Sequence, residues 1–160
     1  MTAPTNTMEA DRVRAYTKPD ILAKIDNDIQ ERVRFYATQP RDVISRRIEE
    51  LDREWDMERW LETNASTLAL GSLIVGLTGN KKCLLLSVSV LSFMLMHAVK
   101  GWCPPVPVFR KLGVRTKSEI DREKFALKIL RGDFQNVSTN PDDLKATPKP
   151  TEPVVEAIKS

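Results

Sequence analysis

Apolar residues are not spread evenly along this chain. They gather between Thr63 and Val99, in two stretches separated by Asn80-Lys81-Lys82. No Asp, Glu, Lys or Arg occurs from Thr63 to Asn80, or from Cys83 to Val99. At ~1.5 Å of rise per residue, each stretch is about as long as an α-helix needs to cross hydrocarbon. The break is short enough only for a tight turn. The pattern therefore predicts a transmembrane helical hairpin over residues 63–100.

Outside the hairpin the apolar spacing is that of amphipathic helices. Pro19, well tolerated in a first turn, opens a pattern in which Leu22, Ile25, Ile29, Val33 and Tyr36 share one face. Pro40 interrupts it. A second segment puts Ile44, Ile48, Leu51, Trp55 and Trp60 (or Leu61) on one stripe, opposite Arg46, Arg47, Glu49, Glu50 and Arg53. Both segments are predicted to pack on each other or a partner, or to lie on the bilayer, and the tryptophans favour interface contact for the second. After the hairpin, Gly101, Pro104, Pro105 and Pro107 stop the helix. Thr116-x-x-Glu119 and Ser118-x-x-Asp121 are overlapping capping boxes for a last helix that Gly132 ends.

The predicted architecture is an all-α membrane protein, a two-helix transmembrane hairpin flanked by cytoplasmic amphipathic helices. Its parts are a flexible N-terminus (1–17), an amphipathic helical region (18–62), the hairpin (63–100) and a Cys-Pro turn and linker (101–117). An amphipathic helix (118–134) and a disordered Pro/Thr/Asp/Lys tail (135–160) complete it.

The first apolar stretch is only weakly so, since serine, threonine and glycine offset its leucines; the second is richer. The first helix should therefore depend on its neighbour. Ala65, Ala69, Ser72, Gly76 and Gly79 fall on one face at spacings of four and three, and small side chains let membrane helices approach closely. Ser89 and Ser92 are candidates for the facing surface. Folding about Lys81 brings His97 level with Asn64, an expected hydrogen bond, and Trp60 level with Trp102. Trp55, Trp60 and Trp102 are the expected membrane-interface residues. Nine basic residues flank the hairpin (Arg46, Arg47, Arg53, Arg59, Lys100, Arg110, Lys111, Arg115, Lys117) against two in the turn, which predicts cytoplasmic termini.

Composition adds mostly exclusions. The 160 residues average a mean hydropathy of -0.33, because the apolar quarter is diluted by charge-rich flanks too polar for a second large core. A net charge of +3, with no interleaving of basic and aromatic residues, gives no case for nucleic acid. Met1–Glu9 lacks a basic-then-apolar pattern, so the hairpin is not expected to be a cleaved signal. Two cysteines at unrelated spacing fit neither a disulfide framework nor a zinc motif.

Gly101-Trp102-Cys103-Pro104, followed by Leu112-Gly113-Val114-Arg115-Thr116, resembles the YgaP-like inner-membrane domain family over about Trp55 to Thr116. That resemblance implies two short membrane helices, a Gly-x-Cys-Pro turn and a bacterial inner-membrane setting. It implies no assigned reaction, although members are sometimes fused to sulfur-transfer domains. The second cysteine that usually follows the family's ending is Lys117 here.

Cys103 is a possible thiol site: Lys100, Arg110 and Lys111 would favour its thiolate. Cys83 lies at the other end of the hairpin and cannot pair with it. Met94, Met96 and His97 make a poor soft-metal set, so no metal or cofactor is assigned. No phosphate loop, nucleophile elbow or His-Glu metal motif is present, and no enzyme is expected. The sequence thus predicts a small inner-membrane accessory or scaffold protein, multi-pass, with both termini cytoplasmic. Its expected partners are the lipid bilayer and other membrane-protein subunits or copies of itself. The alternative is a sulfur-transfer or redox accessory protein acting through Cys103.

Overall fold

A computed structural model describes residues 11–135, and every regular element among them is helical. The elements are α1 (Arg12–Ala15), α2 (Pro19–Tyr36), α3 (Arg41–Arg53), α4 (Met57–Thr78), α5 (Cys83–Lys100), α6 (Val106–Lys111) and α7 (Lys117–Arg131). The chain divides into two compact units, one of residues 11–28 and 54–120, the other of residues 29–53 and 121–135. The predictions for residues 1–10 and 136–160 lie outside the described residues.

In the first unit α4 and α5 pack against each other as a helical hairpin. Its first helix begins at Met57, not at Thr63, and the amphipathic stripe expected to run on to Trp60 stops at Arg53. The reason is local. The Asp56 carboxylate accepts from the Arg59 N–H at 2.8 Å, capping α4, while the Met57 N–H donates to the Arg115 carbonyl at 2.8 Å. Glu54 pairs with Arg115 and pins the break. At the far end the Asn80 side chain accepts from the Lys82 N–H at 3.0 Å, closing the turn.

The helices touch through part of the small-residue stripe. Ala69, Ser72 and Gly76 are buried, Ala65 is half-buried, and Gly79 is exposed as the C-cap of α4. A Cβ at Gly76 would stand 2.6 Å from Leu84 Cδ2 and 3.1 Å from the Leu84 backbone nitrogen, so a larger residue would have to displace the Leu84 side chain and press on its backbone. The facing residue is Ser87, not Ser89 or Ser92. Its Oγ lies 2.6 Å from Ser72 Oγ and donates to the Ala69 carbonyl at 3.0 Å. Ser89 and Ser92 bond instead to carbonyls of their own helix, Leu85 and Val88, at 2.8 Å. The Asn64–His97 bond is not made either: Asn64 Nδ2 donates to the Trp60 carbonyl at 2.7 Å. His97 Nδ1 is buried without a hydrogen-bond partner.

The rest of the hairpin's apolar surface is open. Leu70, Leu77, Leu85 and Leu95 are each at least 60% exposed. Among the described residues α5 is the one helix long and apolar enough to cross a membrane, with a mean hydropathy of 1.8. α4 falls short of that standard because Asn64, its hydroxyls and its glycines dilute its leucines.

Two segments expected to lack structure are ordered. Residues 11–17, predicted as part of a flexible N-terminus, contain α1 and bury Asp11, Val13 and Thr17. The Pro-rich linker contains α6, with proline in its first turn, where the absent N–H costs nothing. α7 begins with half of the predicted capping box: the Glu119 carboxylate accepts from the Thr116 N–H at 2.9 Å. Its other end closes as predicted on Gly132, whose φ of +91° suits glycine.

The second unit buries Ile29, Ile44, Ile48, Leu51 and Leu127. Glu123, fully buried, accepts from Arg32 Nε at 2.9 Å and from Arg47 Nη2 at 2.9 Å. Lys124 pairs with Asp52, and Arg131 donates to Ser45 Oγ at 3.1 Å.

Candidate functional site at the base of the hairpin

At the open end of the hairpin, in the first unit, apolar, aromatic and charged groups converge. Val13, Met57, Leu61, Cys103 and Val106 form a buried cluster, with Phe109 and Val114 against it. Leu61 rather than Trp60 is thus the inward residue of that turn. Cys103 is 3% exposed, and burial pushes its thiol up from the ordinary value. The basic neighbours read from the sequence do not offset this. Arg110 is committed elsewhere, and the thiol faces hydrophobic side chains.

Arg110 is the centre of a buried polar network. It is 1% exposed, and its two terminal nitrogens each donate to Glu119 at 2.7 Å, a bidentate pair. Its Nε donates to Thr17 Oγ1 at 3.0 Å, and Nη1 also reaches the Val114 carbonyl at 3.0 Å. Glu119 also accepts from Arg14 Nη1 at 2.5 Å, and Arg14 is itself bidentate to Asp26 at 2.8 and 3.1 Å. Two guanidinium groups therefore meet two carboxylates. Burial alone would raise the Glu119 pKa; the hydrogen bonds from Arg110 and Thr116, with the two arginine charges, outweigh it and hold the carboxyl below its ordinary value. Asp11 behaves likewise: burial opposes ionisation, but Ser118 and Thr116 hydroxyls, both at 2.5 Å, and the Arg14 N–H favour it, and the pKa is lowered.

The three tryptophans expected at the interface do not form one set. Trp55 and Trp60 are in contact, with ring centroids 5.2 Å apart, and Trp60 lies 6.1 Å from Phe109. Arg59 stacks over Trp55 with its guanidinium carbon 4.4 Å from the ring centroid. Trp102 follows Gly101 and is half-buried. Beside the Trp55–Trp60 pair runs an open groove of about 440 Å³, bounded also by Glu54, Leu112, Gly113, Val114 and Arg115. Val108 and Leu112, one turn apart on α6 and its C-cap, are exposed on this face. Sequence reasoning singled out the tryptophans but missed Phe109, Val108 and Leu112, whose short proline-rich segment shows no periodicity. It also missed the Arg110–Glu119 pair, because Glu119 reads in the sequence only as a capping-box residue and Arg110 only as a flanking charge.

The arrangement can hold a hairpin and its flanks in one register, and it presents a mixed aromatic, aliphatic and cationic surface. It brings together no nucleophile and base. Compared with known protein families, curated proteins and solved structures, the chain matches none.

Proposed function

We propose that this protein is a small membrane-embedded scaffold, anchored by the α4–α5 hairpin and offering its flanking helices to other proteins of a membrane assembly. In this reading the hairpin is multi-pass in a bacterial inner membrane, both termini are cytoplasmic, and partners are other membrane subunits or copies of the chain. The observation that carries it is the hairpin's surface: long leucine-rich helix faces stand open, while small residues and a serine pair occupy the helix contact. Water disfavours so much exposed hydrocarbon, and lipid does not. The aromatic and cationic groups around Trp55, Trp60 and Arg59 suit headgroup depth. The likeness to YgaP-like proteins, carried by Gly101-Trp102-Cys103-Pro104 and Leu112-Gly113-Val114-Arg115-Thr116, supports the same setting. The alternative of thiol chemistry at Cys103 is less favoured, because a buried thiol with a raised pKa is a poor nucleophile at neutral pH.

The test has two arms. Membranes washed at high pH should retain the protein, and reporters fused before Met1 or after Ser160 should read as cytoplasmic. Release into the wash, or a reporter on the opposite side, would refute the membrane assignment. Purification in mild detergent should then bring down the same partners with wild type and with Cys103→Ser. Loss of partners in the serine variant alone would favour the thiol reading.

A further inference from the structure

The hairpin carries a second open groove, away from its base. It runs along α4 from Thr63 toward Cys83 at the turn, with a volume of about 650 Å³. Asn64, Thr67, Gly71 and Val75 line it, and they share one exposed stripe of α4 at spacings of three and four. The stripe that meets α5 is a different one, through the buried Ala69, Ser72 and Gly76. Thr67 is already served within α4, its Oγ1 donating to the Thr63 carbonyl at 2.7 Å. Asn64 is not. Its Nδ2 spends one hydrogen on the Trp60 carbonyl at 2.7 Å, while the second hydrogen and Oδ1 have no partner among the described residues. Asn64 stands one turn, ~6 Å, inward from Trp60, beyond Glu62, the last charged residue of α4. In the proposed membrane setting this exposed amide faces acyl chains, which offer it no hydrogen bond.

We infer that a second copy of this chain occupies the groove, the two α4 helices packing in parallel across a two-fold axis, a contact that rests on the membrane reading above. A hairpin returns both of its ends to one side, so two copies inserted alike carry α4 in the same direction. A parallel two-fold contact then sets each residue opposite itself at one depth. An amide suits that position because it both donates and accepts, so Asn64 of one protomer and the partner's Asn64 can satisfy each other in both directions. A charged side chain there would meet its own charge. Glu58, Arg59 and Glu62 all lie at least ~120° around α4 from Asn64, at ~100° per residue, and stay clear of the contact. Gly71 comes ~10 Å deeper on the same stripe. A Cβ there would meet nothing within 4 Å, so the single chain leaves room for a second backbone to approach. A different subunit would have to bring its own amide to the same depth, and a copy does so automatically.

The experiment places the full chain, carrying Cys83→Ser and Cys103→Ser, in phosphatidylcholine vesicles and oxidises single introduced cysteines with copper phenanthroline. Gly71→Cys should give a disulfide-linked dimer. Leu73→Cys, two residues on and therefore on the opposite side of α4, should link at least about fivefold less. Adding Asn64→Leu to Gly71→Cys should weaken association about tenfold, read from the linked fraction as the vesicles are diluted with lipid. Gly71→Leu, which the single hairpin accommodates, should abolish energy transfer between copies labelled at the N-terminus, a readout that needs no introduced cysteine. Equal linking in the Gly71→Cys and Leu73→Cys chains, or none in Gly71→Cys, would overturn the contact and leave lipid or another subunit as the occupant. Association that survives Asn64→Leu or Gly71→Leu unchanged would overturn it as well. Flotation separates this result from the membrane reading. A chain that floats with the vesicles but shows no preference for Gly71→Cys refutes the contact alone, and a chain that does not float refutes both.

Discussion

Replacing Glu119 with glutamine should be among the most damaging isosteric changes available to this protein. Each carboxylate oxygen accepts two hydrogen bonds: Oε1 from Arg110 Nη2 and Arg14 Nη1, Oε2 from Arg110 Nη1 and the Thr116 N–H. Glutamine substitutes an NH2 for one of them, so either orientation of the amide turns two donors onto a third. It also deletes the negative charge that faces both Arg110 and Arg14. Glu119 is 0% and Arg110 1% exposed, so water cannot compensate. Breaking a buried pair in this way costs about 3–5 kcal/mol, a large share of the ~5–15 kcal/mol that typically holds a domain together. Urea titration in mild detergent, followed by the fluorescence of Trp55 and Trp60 in the same unit, measures the loss. Asp42→Asn is the contrast, because the Asp42–Arg46 pair is 73% and 70% exposed and should be worth under ~1 kcal/mol. The paired variant Arg110→Met with Glu119→Leu should recover much of the stability, since it removes charge and counter-charge together. A Glu119→Gln cost no greater than that of Asp42→Asn would refute the reasoning.

Three further outcomes follow from the geometry. Gly76→Leu should disrupt the hairpin by roughly 1–3 kcal/mol of overpacking, whereas Gly71→Leu, with nothing within 4 Å of its Cβ, should be tolerated; thermal unfolding in micelles compares them, and equal effects would mean the Leu84 contact is unimportant. Ser72→Ala and Ser87→Ala should each cost only about 0.6 kcal/mol, the average worth of a hydrogen bond between membrane helices, and a larger double-mutant coupling would show the pair to be more than that. Because Asp11 and Glu119 have folded pKa values below their ordinary ones, their stabilisation is present above those ordinary values, about 3.9 and 4.3, and is lost as pH falls further; urea midpoints should drop in that acidic window, and less so in Asp11→Asn.

Much of the fold could be read from the chain because it rests on local rules. Proline at 19 and 40 brackets α2, Gly132 ends the last helix, and the charge-free runs locate the hairpin. Small residues at spacings of three and four identified most of the packing face, but the facing surface was assigned to Ser89 and Ser92 instead of Ser87, because the rotation of α5 leaves no mark in its nearly uniform apolar sequence. The base of the hairpin was hidden for a different reason. Asp11, Arg12, Arg14 and Thr17 have the composition of a polar loop, and their order comes from partners more than 85 residues away in the chain, as in Arg12–Ala98. The start of α4 was likewise set by Asp56 and Arg115, neither of which belongs to the apolar pattern. Long-range charge pairing leaves no periodic trace in a sequence.

The way α5 ends bears on the thickness of membrane it would suit. A helix end leaves its last carbonyls unpaired, and in a bilayer they must ordinarily reach water. Here Gly101 N–H returns to the His97 carbonyl and the Arg12 side chain serves those of Ala98 and Val99. The chain itself thus supplies donors to the last carbonyls of this terminus. An 18-residue helix is ~27 Å long, a few ångströms short of the average hydrocarbon span of ~30 Å. A terminus satisfied by protein tolerates that deficit by lying within the headgroup layer instead of stretching beyond it. In the proposed setting the hairpin would stand nearly upright and sort toward thinner bilayers, drawing lipid inward around it where the surrounding membrane is thick.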